Sequence, residues 1–241
     1  EAAVKIHAHR GLSDLLPEST MAGYKAAIAL GVDYIDMDVC LSKDGVVVVN
    51  HDPTLMADLT RDAKGNWLSK PTPAVKNLSF KQLQQYKIGK INPDSYMARS
   101  FPNVVAAKDE HIVSMRSVIE LAEKLAPNMN YQIELKLTPY KFASEPEAQA
   151  LVSAVVTDLS ELGVLQKVQL QSFDFAALLL AKKLQPKVKL AFVTQQSGEW
   201  DTITPGAMGN ISWTAGFKVA NFNNSVPEMV AKLGEIGRAH V

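Results

Sequence analysis

The stretch YIDMDVCLSKDGVVVVNH, residues 34–51, decides the fold. Two apolar runs, 34–41 and 46–51, flank a Lys-Asp-Gly turn, and Asp-Gly between apolar runs is a strong hairpin signal. With Asp44 and Gly45 as a two-residue loop, Lys43 pairs with Val46 and Asp38 is expected directly opposite His51. Side chains alternate along a strand, so Asp36 and Asp38 share a face. That face carries two carboxylates and an imidazole, which a packed core does not hold unpaired.

Working outward toward the N-terminus, residues 4–8 form a short apolar strand that ends in His9-Arg10-Gly11. Pro17, Glu18, Ser19 and Thr20 then mark a helix start, with Ser19 or Thr20 as N-cap. Met21, Tyr24 and Ile28 recur at helical spacing, and Gly31 fits the stop. Strand, helix, strand favours a parallel sheet or barrel.

Toward the C-terminus, residues 53–112 are rich in proline, glycine, asparagine and charge, with one weak helix near 79–87. About sixty residues exceed an ordinary connection, so this is an insertion, either folded over the site or a surface excursion. Regular structure resumes with a helix from Ser114 to about Ala126. Strands at 131–137, 168–173 and 188–194 then alternate with helices at 147–162, from Asp174 to about Leu184, and at 226–233. This alternation predicts an α/β fold of the TIM (β/α) barrel type. No GxGxxG or GxxxxGK[ST] loop occurs, which disfavours a Rossmann nucleotide site. Five core strands are counted against the eight of a full barrel, so about the first five βα units are expected here and the last three are missing. The expected organisation is a single partial domain, residues 1–234, carrying the 53–112 insertion. Residues 235–241, EIGRAHV, resemble translated sequencing adapter and are expected to be a non-native tail on a C-terminally truncated fragment.

The 241 residues carry 25 Lys and Arg against 25 Asp and Glu, which argues against nucleic-acid binding or an anionic-membrane function. No apolar run long enough to cross a bilayer occurs, so no stable membrane insertion is expected. The single cysteine, Cys40, lies inside a strand and is expected to be a buried thiol.

In a barrel, chemistry gathers at the C-terminal ends of the strands. The first strand ends in His9-Arg10; the second carries Asp36 and Asp38, and the hairpin returns His51; the third carries Glu134 and Lys136; the fourth ends in Gln171-Ser172. Asp36, Asp38 and Glu134 would repel one another unless a divalent cation lay between them, and all-oxygen ligation points to Ca²⁺ or Mg²⁺. His9 and His51 can serve as general acid and base, while Arg10 and Lys136 can hold a phosphate. Glu18 is either an added metal-side carboxylate or an ordinary first-turn helix residue. His7 is expected to pack or support, and His111 to be bland. Trp67, Trp200 and Trp213 are expected in a groove or in the core. Metal, two imidazoles and a cationic clamp describe phosphodiester cleavage.

The ordered set HRG (9–11), PES (17–19), D-x-D (36–38), KDGVVVVNHD (43–52), E-x-K (134–136) and QSF (171–173) resembles the glycerophosphodiester phosphodiesterases. The resemblance implies a metal-dependent hydrolase that converts small-molecule glycerophosphodiesters to glycerol 3-phosphate and an alcohol. His9 and His51 would be its acid–base pair, Asp36, Asp38 and Glu134 its metal ligands with Glu18 beside them, and Arg10 and Lys136 its phosphate contacts. Two positions depart from the family pattern: Asp36 stands where glutamate is usual, and Ser19 where asparagine is usual. The long insertion is similar to that of periplasmic members, which implies a periplasmic or secreted location. The alternatives are a barrel phospholipase like sphingomyelinase D or a phosphatidylinositol lipase, and a non-catalytic binding module with a decayed site.

Overall fold

The computed structural model describes residues 4–137, 146–197, 200–204, 213–233 and 236–239. The chain divides into two compact units, Glu1–Lys136 and Leu137–Val241.

In the first unit the sheet is built on β2 (Tyr34–Leu41). The two-residue strand β1 (His7–Ala8) pairs with it in parallel through His7–Tyr34 and Ala8–Ile35. On the other edge β4 (Asn130–Leu135) pairs in parallel from Tyr34–Asn130 to Val39–Leu135. The first strand is shorter than expected: Ile6 O accepts from Asp33 N and Tyr34 N, but Ile6 N donates to the Asp33 carboxylate rather than to a backbone carbonyl, and Lys5 Nζ also reaches that carboxylate. β3 (Val47–Val49) returns antiparallel to β2.

The hairpin register differs from the expected one. Val39 pairs with Val49, Cys40 with Val48 and Leu41 with Val47, so Ser42 faces Val46 and the loop has three residues. Gly45, at φ +82°, supplies the left-handed residue that closes a three-residue hairpin. Ser42 Oγ adds a bond from Val46 N, and Asp44 is tied to Ser42 Oγ and Phe80 N. Asp38 therefore faces Asn50, whose N donates to Asp38 O at 3.0 Å, and His51 lies beyond the ladder.

Helix α1 (Met21–Ala29) is capped by Thr20, whose Oγ1 accepts from Gly23 N at 3.1 Å. Its buried face is small apart from Tyr24 and Ile28. Helix α4 (Met115–Leu125) is capped by Ser114 and buries Met115, Val118, Ile119 and Ala122 at helical spacing.

Residues 53–112 are anchored to the sheet rather than loosely appended. Two short helices, α2 (Phe80–Leu83) and α3 (Tyr96–Ser100), are their only α-helical turns among the described residues. Leu55, Val75, Leu83, Ile88 and Ile112 pack with Cys40 and Val48 of the hairpin into one apolar cluster. Burying each such aliphatic side chain contributes about 1.5–3 kcal/mol. The excursion leaves after Asn50 and returns at Val113, where Val49 N donates to Val113 O at 2.9 Å. Its two ends are thus neighbours on β3.

The second unit contains α5 (Pro146–Glu161), β5 (Val168–Ser172), α6 (Phe175–Leu184) and β6 (Lys189–Thr194), with β5 and β6 parallel. A small antiparallel ladder, β7 (Gln196–Ser197) with β8 (Trp200–Asp201), precedes α7 (Val226–Lys232). The backbone of Ile236–Ala239, within the expected tail, forms β9 and pairs in parallel with β6. Glu235, His240 and Val241 of that tail lie outside the described residues, as does Ser212. α5 buries Leu151, Val152, Val155 and Leu159, and Phe175 of α6 meets Phe192 of β6 edge-on at 4.5 Å. Asp174 caps α6 as expected, accepting from Ala176 N and Ala177 N.

Candidate active site

The site lies past the C-terminal ends of β1, β2 and β4, where three strand ends and the hairpin exit deliver charged side chains to one place. Asp36, Asp38 and Glu134 are all buried, and Asp38 and Glu134 are register partners on adjacent strands. Asp36 sits one pleat earlier, paired with Gln132, and its Oδ2 is 3.4 Å from Arg10 N.

Arg10 is the hub. Its Nη1 donates to both Glu18 oxygens at 3.1 Å, and its Nε stands 3.0 Å from Asp38 Oδ2. The latter is an ion pair without hydrogen-bond alignment, since both atoms are buried and lack a hydrogen-bond partner. Burial works against the guanidinium charge, but Glu18 and Asp38 outweigh it and raise its pKa. The geometry is set by unusual backbone: Arg10 has φ +52° and Ser19 has φ +59°, and Ser19 N donates to Arg10 O at 2.9 Å. Left-handed conformations in non-glycine residues cost energy and gather where structure over-determines them.

Lys136 Nζ donates to Glu134 Oε1 at 2.8 Å and lies 3.1 Å from His51 Nε2. An ammonium has no acceptor, so Nε2 accepts and His51 carries its proton on Nδ1. That proton is donated to Asp52 Oδ1 at 2.6 Å. The same bond to His51 holds the Asp52 carboxyl below its ordinary pKa. Burial, then the neighbouring Glu134 charge, push the Asp38 carboxyl up to about 6, against the pull of Lys136 and Arg10. Tyr24, wholly buried beneath the site, is pushed far up by burial and by Asp36 and Asp38.

His9 stands in the turn directly after β1 with its side chain exposed. His7 stacks on Tyr34 at 4.1 Å, and its Nδ1 is hydrogen-bonded to Gln132 Oε1, a supporting role as expected. His111 Nδ1 donates to Tyr86 O at 2.8 Å, a bond within the insertion. Trp67 packs under Arg61, whose guanidinium carbon is 5.4 Å from the ring centre. Trp213 is buried against Phe173 in the second unit, and the Trp200 side chain lies outside the described residues. The sequence assigns no site role to Asp52 or Asn50 and marks Tyr24 only as part of a helix face. The NHD run (50–52) was the available signal for the first two.

Among the described residues no group of three or more His, Cys, Asp or Glu side chains is close enough to hold a metal ion. Arg10 stands between Glu18 and Asp38 instead. The donor chemistry nonetheless fits a hard divalent cation. Asp36, Asp38, Glu134 and Glu18 outnumber Arg10 and Lys136, every donor is oxygen, and Asp38 Oδ2 is buried without a hydrogen bond.

A small pocket opens beside these residues. Glu18, Ser19, Asn50 and His51 form one wall, and Met56, Leu59, Thr60 and Ile88 of the insertion form another.

The sequence model of the glycerophosphoryl diester phosphodiesterase family matches residues 9–237, and the chain belongs to this family. A glycerophosphodiester phosphodiesterase of Bacillus altitudinis is 30% identical over 190 residues, 79% of this chain and 66% of that protein. A putative glycerophosphodiester phosphodiesterase of Bacillus subtilis, YhdW, is 27% identical over 79% of this chain and 65% of its own length. The chain spans just under two thirds of the length of these curated relatives. Among solved structures, a putative glycerophosphoryl diester phosphodiesterase from Silicibacter pomeroyi superposes with a TM-score of 0.79 at 23% identity, over 100% of this chain and 83% of that one. An Oleispira antarctica phosphodiesterase in complex with the product sn-glycerol-3-phosphate gives 0.59 at 20% identity, over 99% and 84%. The fold is therefore α/β of the TIM-barrel type, and among the described residues no helix is long and apolar enough to cross a membrane.

Proposed function

We propose that the protein hydrolyses glycerophosphodiesters to glycerol 3-phosphate and an alcohol. The observation that carries this is the meeting of Arg10, Glu18, Asp38, Glu134, Lys136 and His51 past the strand ends. Membership of the family and the product named for the Oleispira relative support the substrate class.

His51 is the general base: its Nε2 lone pair, which accepts from Lys136 Nζ, becomes free to take a hydroxyl proton when Lys136 turns to a phosphate oxygen, and Asp52 steadies the imidazolium that forms. His9, at the end of β1, is the partner that returns a proton to the leaving oxygen. Arg10 and Lys136 are held by carboxylates on one side, which leaves each guanidinium or ammonium further donors for phosphate oxygens. Asp36, Asp38 and Glu134, with Glu18 beside them, would hold a Ca²⁺ or Mg²⁺ ion. When bound, that ion supplies positive charge against the phosphoryl oxygens. A periplasmic or secreted location belongs to the same proposal, resting on the length of the insertion, and cell fractionation tests it.

The test is release of glycerol 3-phosphate from glycerophosphocholine. It is expected to require a divalent cation and to vanish in His9→Ala and His51→Ala. Full activity in a chelator, or in both variants, overturns the reading.

A further inference from the structure

We propose that Glu110, on the return arm of the insertion, is a positioning residue: it holds the 17–20 loop so that Glu18 keeps its grip on Arg10. What that grip serves rests on the functional reading above. The start of a helix leaves backbone N–H groups without partners inside the helix. α1 has no acidic residue in its own first turn, and Thr20 Oγ1 takes Gly23 N at 3.1 Å. Met21 N and Ala22 N donate instead to Glu110, to Oε2 at 2.6 Å and to Oε1 at 3.0 Å. The carboxylate sets one oxygen on each donor from 89 and 88 residues away in sequence, and negative charge is favoured at that end of a helix.

Glu110 is itself fixed from behind. Ile88 N donates to Glu110 O at 2.8 Å, and Glu110 N donates to Ile88 O at 3.2 Å. Two residues on, Ile112 lies in the apolar cluster with Cys40 and Val48, and Val113 O accepts from Val49 N. The carboxylate therefore belongs to a frame tied to β3. What it holds is strained. Arg10 and Ser19 both have left-handed backbone, and Ser19 N donates to Arg10 O at 2.9 Å. Such conformations persist only where surrounding contacts over-determine them. After Ser19 those contacts are Thr20, whose Oγ1 donates to Pro17 O at 2.7 Å, and Glu110 on the next two residues. Glu18 lies within this span, with both oxygens 3.1 Å from Arg10 Nη1. Every link from Glu110 through Met21, Ala22 and Ser19 to Arg10 lies within the first unit.

The experiment compares the wild-type chain with Glu110→Ala, Glu110→Gln and, as a control, Ser114→Ala, which removes the cap of α4. Native-state hydrogen exchange by nuclear magnetic resonance reads the Ser19 amide, and calorimetric titration reads the affinity for glycerol 3-phosphate. In Glu110→Ala the Ser19 amide is expected to exchange about tenfold faster and the affinity to fall about tenfold. Glu110→Gln keeps one acceptor and is expected to fall between. Ser114→Ala is expected to lower the unfolding midpoint and to leave both readings unchanged. Glu18→Gln is expected to lower the affinity by itself, and Glu110→Ala added to it to lower it no further, because the two act through one contact. Unchanged Ser19 exchange in Glu110→Ala, an equal quickening in Ser114→Ala, or affinity losses that add in full overturn the proposal. A wild-type chain that neither binds nor releases glycerol 3-phosphate overturns the functional reading instead, and the exchange comparison still decides the role of Glu110.

Discussion

Replacing Asp52 with asparagine isolates what the His51–Asp52 contact does. The Nδ1–Oδ1 distance is 2.6 Å, and Lys136 on the other ring nitrogen fixes the tautomer. Hydrogen bonds to a charged partner contribute about 1.5–3 kcal/mol, and Asp52 is 37% exposed at its side chain, which favours the lower half of that range. Asparagine keeps the shape and loses the charge. It can also present its amide N–H₂ to Nδ1, which would move the ring proton to Nε2, against the ammonium of Lys136. A loss of about 1.5–2.5 kcal/mol in the barrier corresponds to roughly 10- to 70-fold in kcat. Asp52 touches neither Glu18 nor the apolar wall of the pocket, so KM should stay within about twofold. The assay is steady-state release of glycerol 3-phosphate, with Asp52→Glu as the charge-retaining control. A kcat within twofold of wild type, or a loss carried wholly by KM, refutes the argument that Asp52 acts through His51.

Three further outcomes follow from the geometry. Burial pushes the Asp174 carboxyl up to about 6 from 3.8, over the opposing bonds from Ala177 N and Ala176 N. The folded state then binds more protons than the unfolded one between those values. Stability should fall on the order of 3 kcal/mol as pH rises through roughly 4 to 6, and Asp174→Asn should remove that slope in urea unfolding. A wild-type-minus-variant difference that is flat with pH contradicts it. Ser19→Asn should stabilise by about 0.5–1 kcal/mol, because asparagine tolerates the φ of +59° better than serine; a lowered unfolding midpoint counts against backbone strain there. Gly89→Ala would put a Cβ 2.4 Å from Lys108 O at a φ of +94°, so it should cost about 1–3 kcal/mol, read as a lower thermal midpoint. An unchanged midpoint would mean that the 88–89 and 108–110 ribbons do not pack as described.

Periodicity made the regular elements legible. Thr20, one of two expected candidates, and Asp174 cap the helices where the sequence places caps, α4 begins right after Ser114, and the strands at 34–41 and 168–172 match to within a residue. The hairpin register was not legible, because Asp-Gly closes two- and three-residue loops alike. The choice rests on which residue takes positive φ, and here it is Gly45 alone. That one-residue slip removed His51 from its expected place opposite Asp38, yet His51 still reaches the site through Lys136. The insertion was opaque for a different reason. Its apolar residues are spaced irregularly from Leu55 to Ile112 and become a core only when Cys40 and Val48 complete it. Asp52 and Glu110 escaped notice because their partners are identified by spatial neighbours rather than by spacing. Arg10 was expected at a phosphate; its bifurcated bond from Nη1 to Glu18 is invisible to strand alternation, since Glu18 sits in a loop.

The adjacency of Asn50 and Val113 makes the insertion modular. Asn50 Nδ2 bonds Asp52 O at 2.6 Å and Thr54 O at 3.2 Å, which locks the exit, while Val113 O locks the return against Val49 N. Loop length between two such clasped points can drift at little entropic cost, since closure depends only weakly on length. Evolution, or a designer grafting a foreign loop between the clasps, can therefore exchange the whole excursion and retune what the protein touches while His51 and the strand ends keep their spacing.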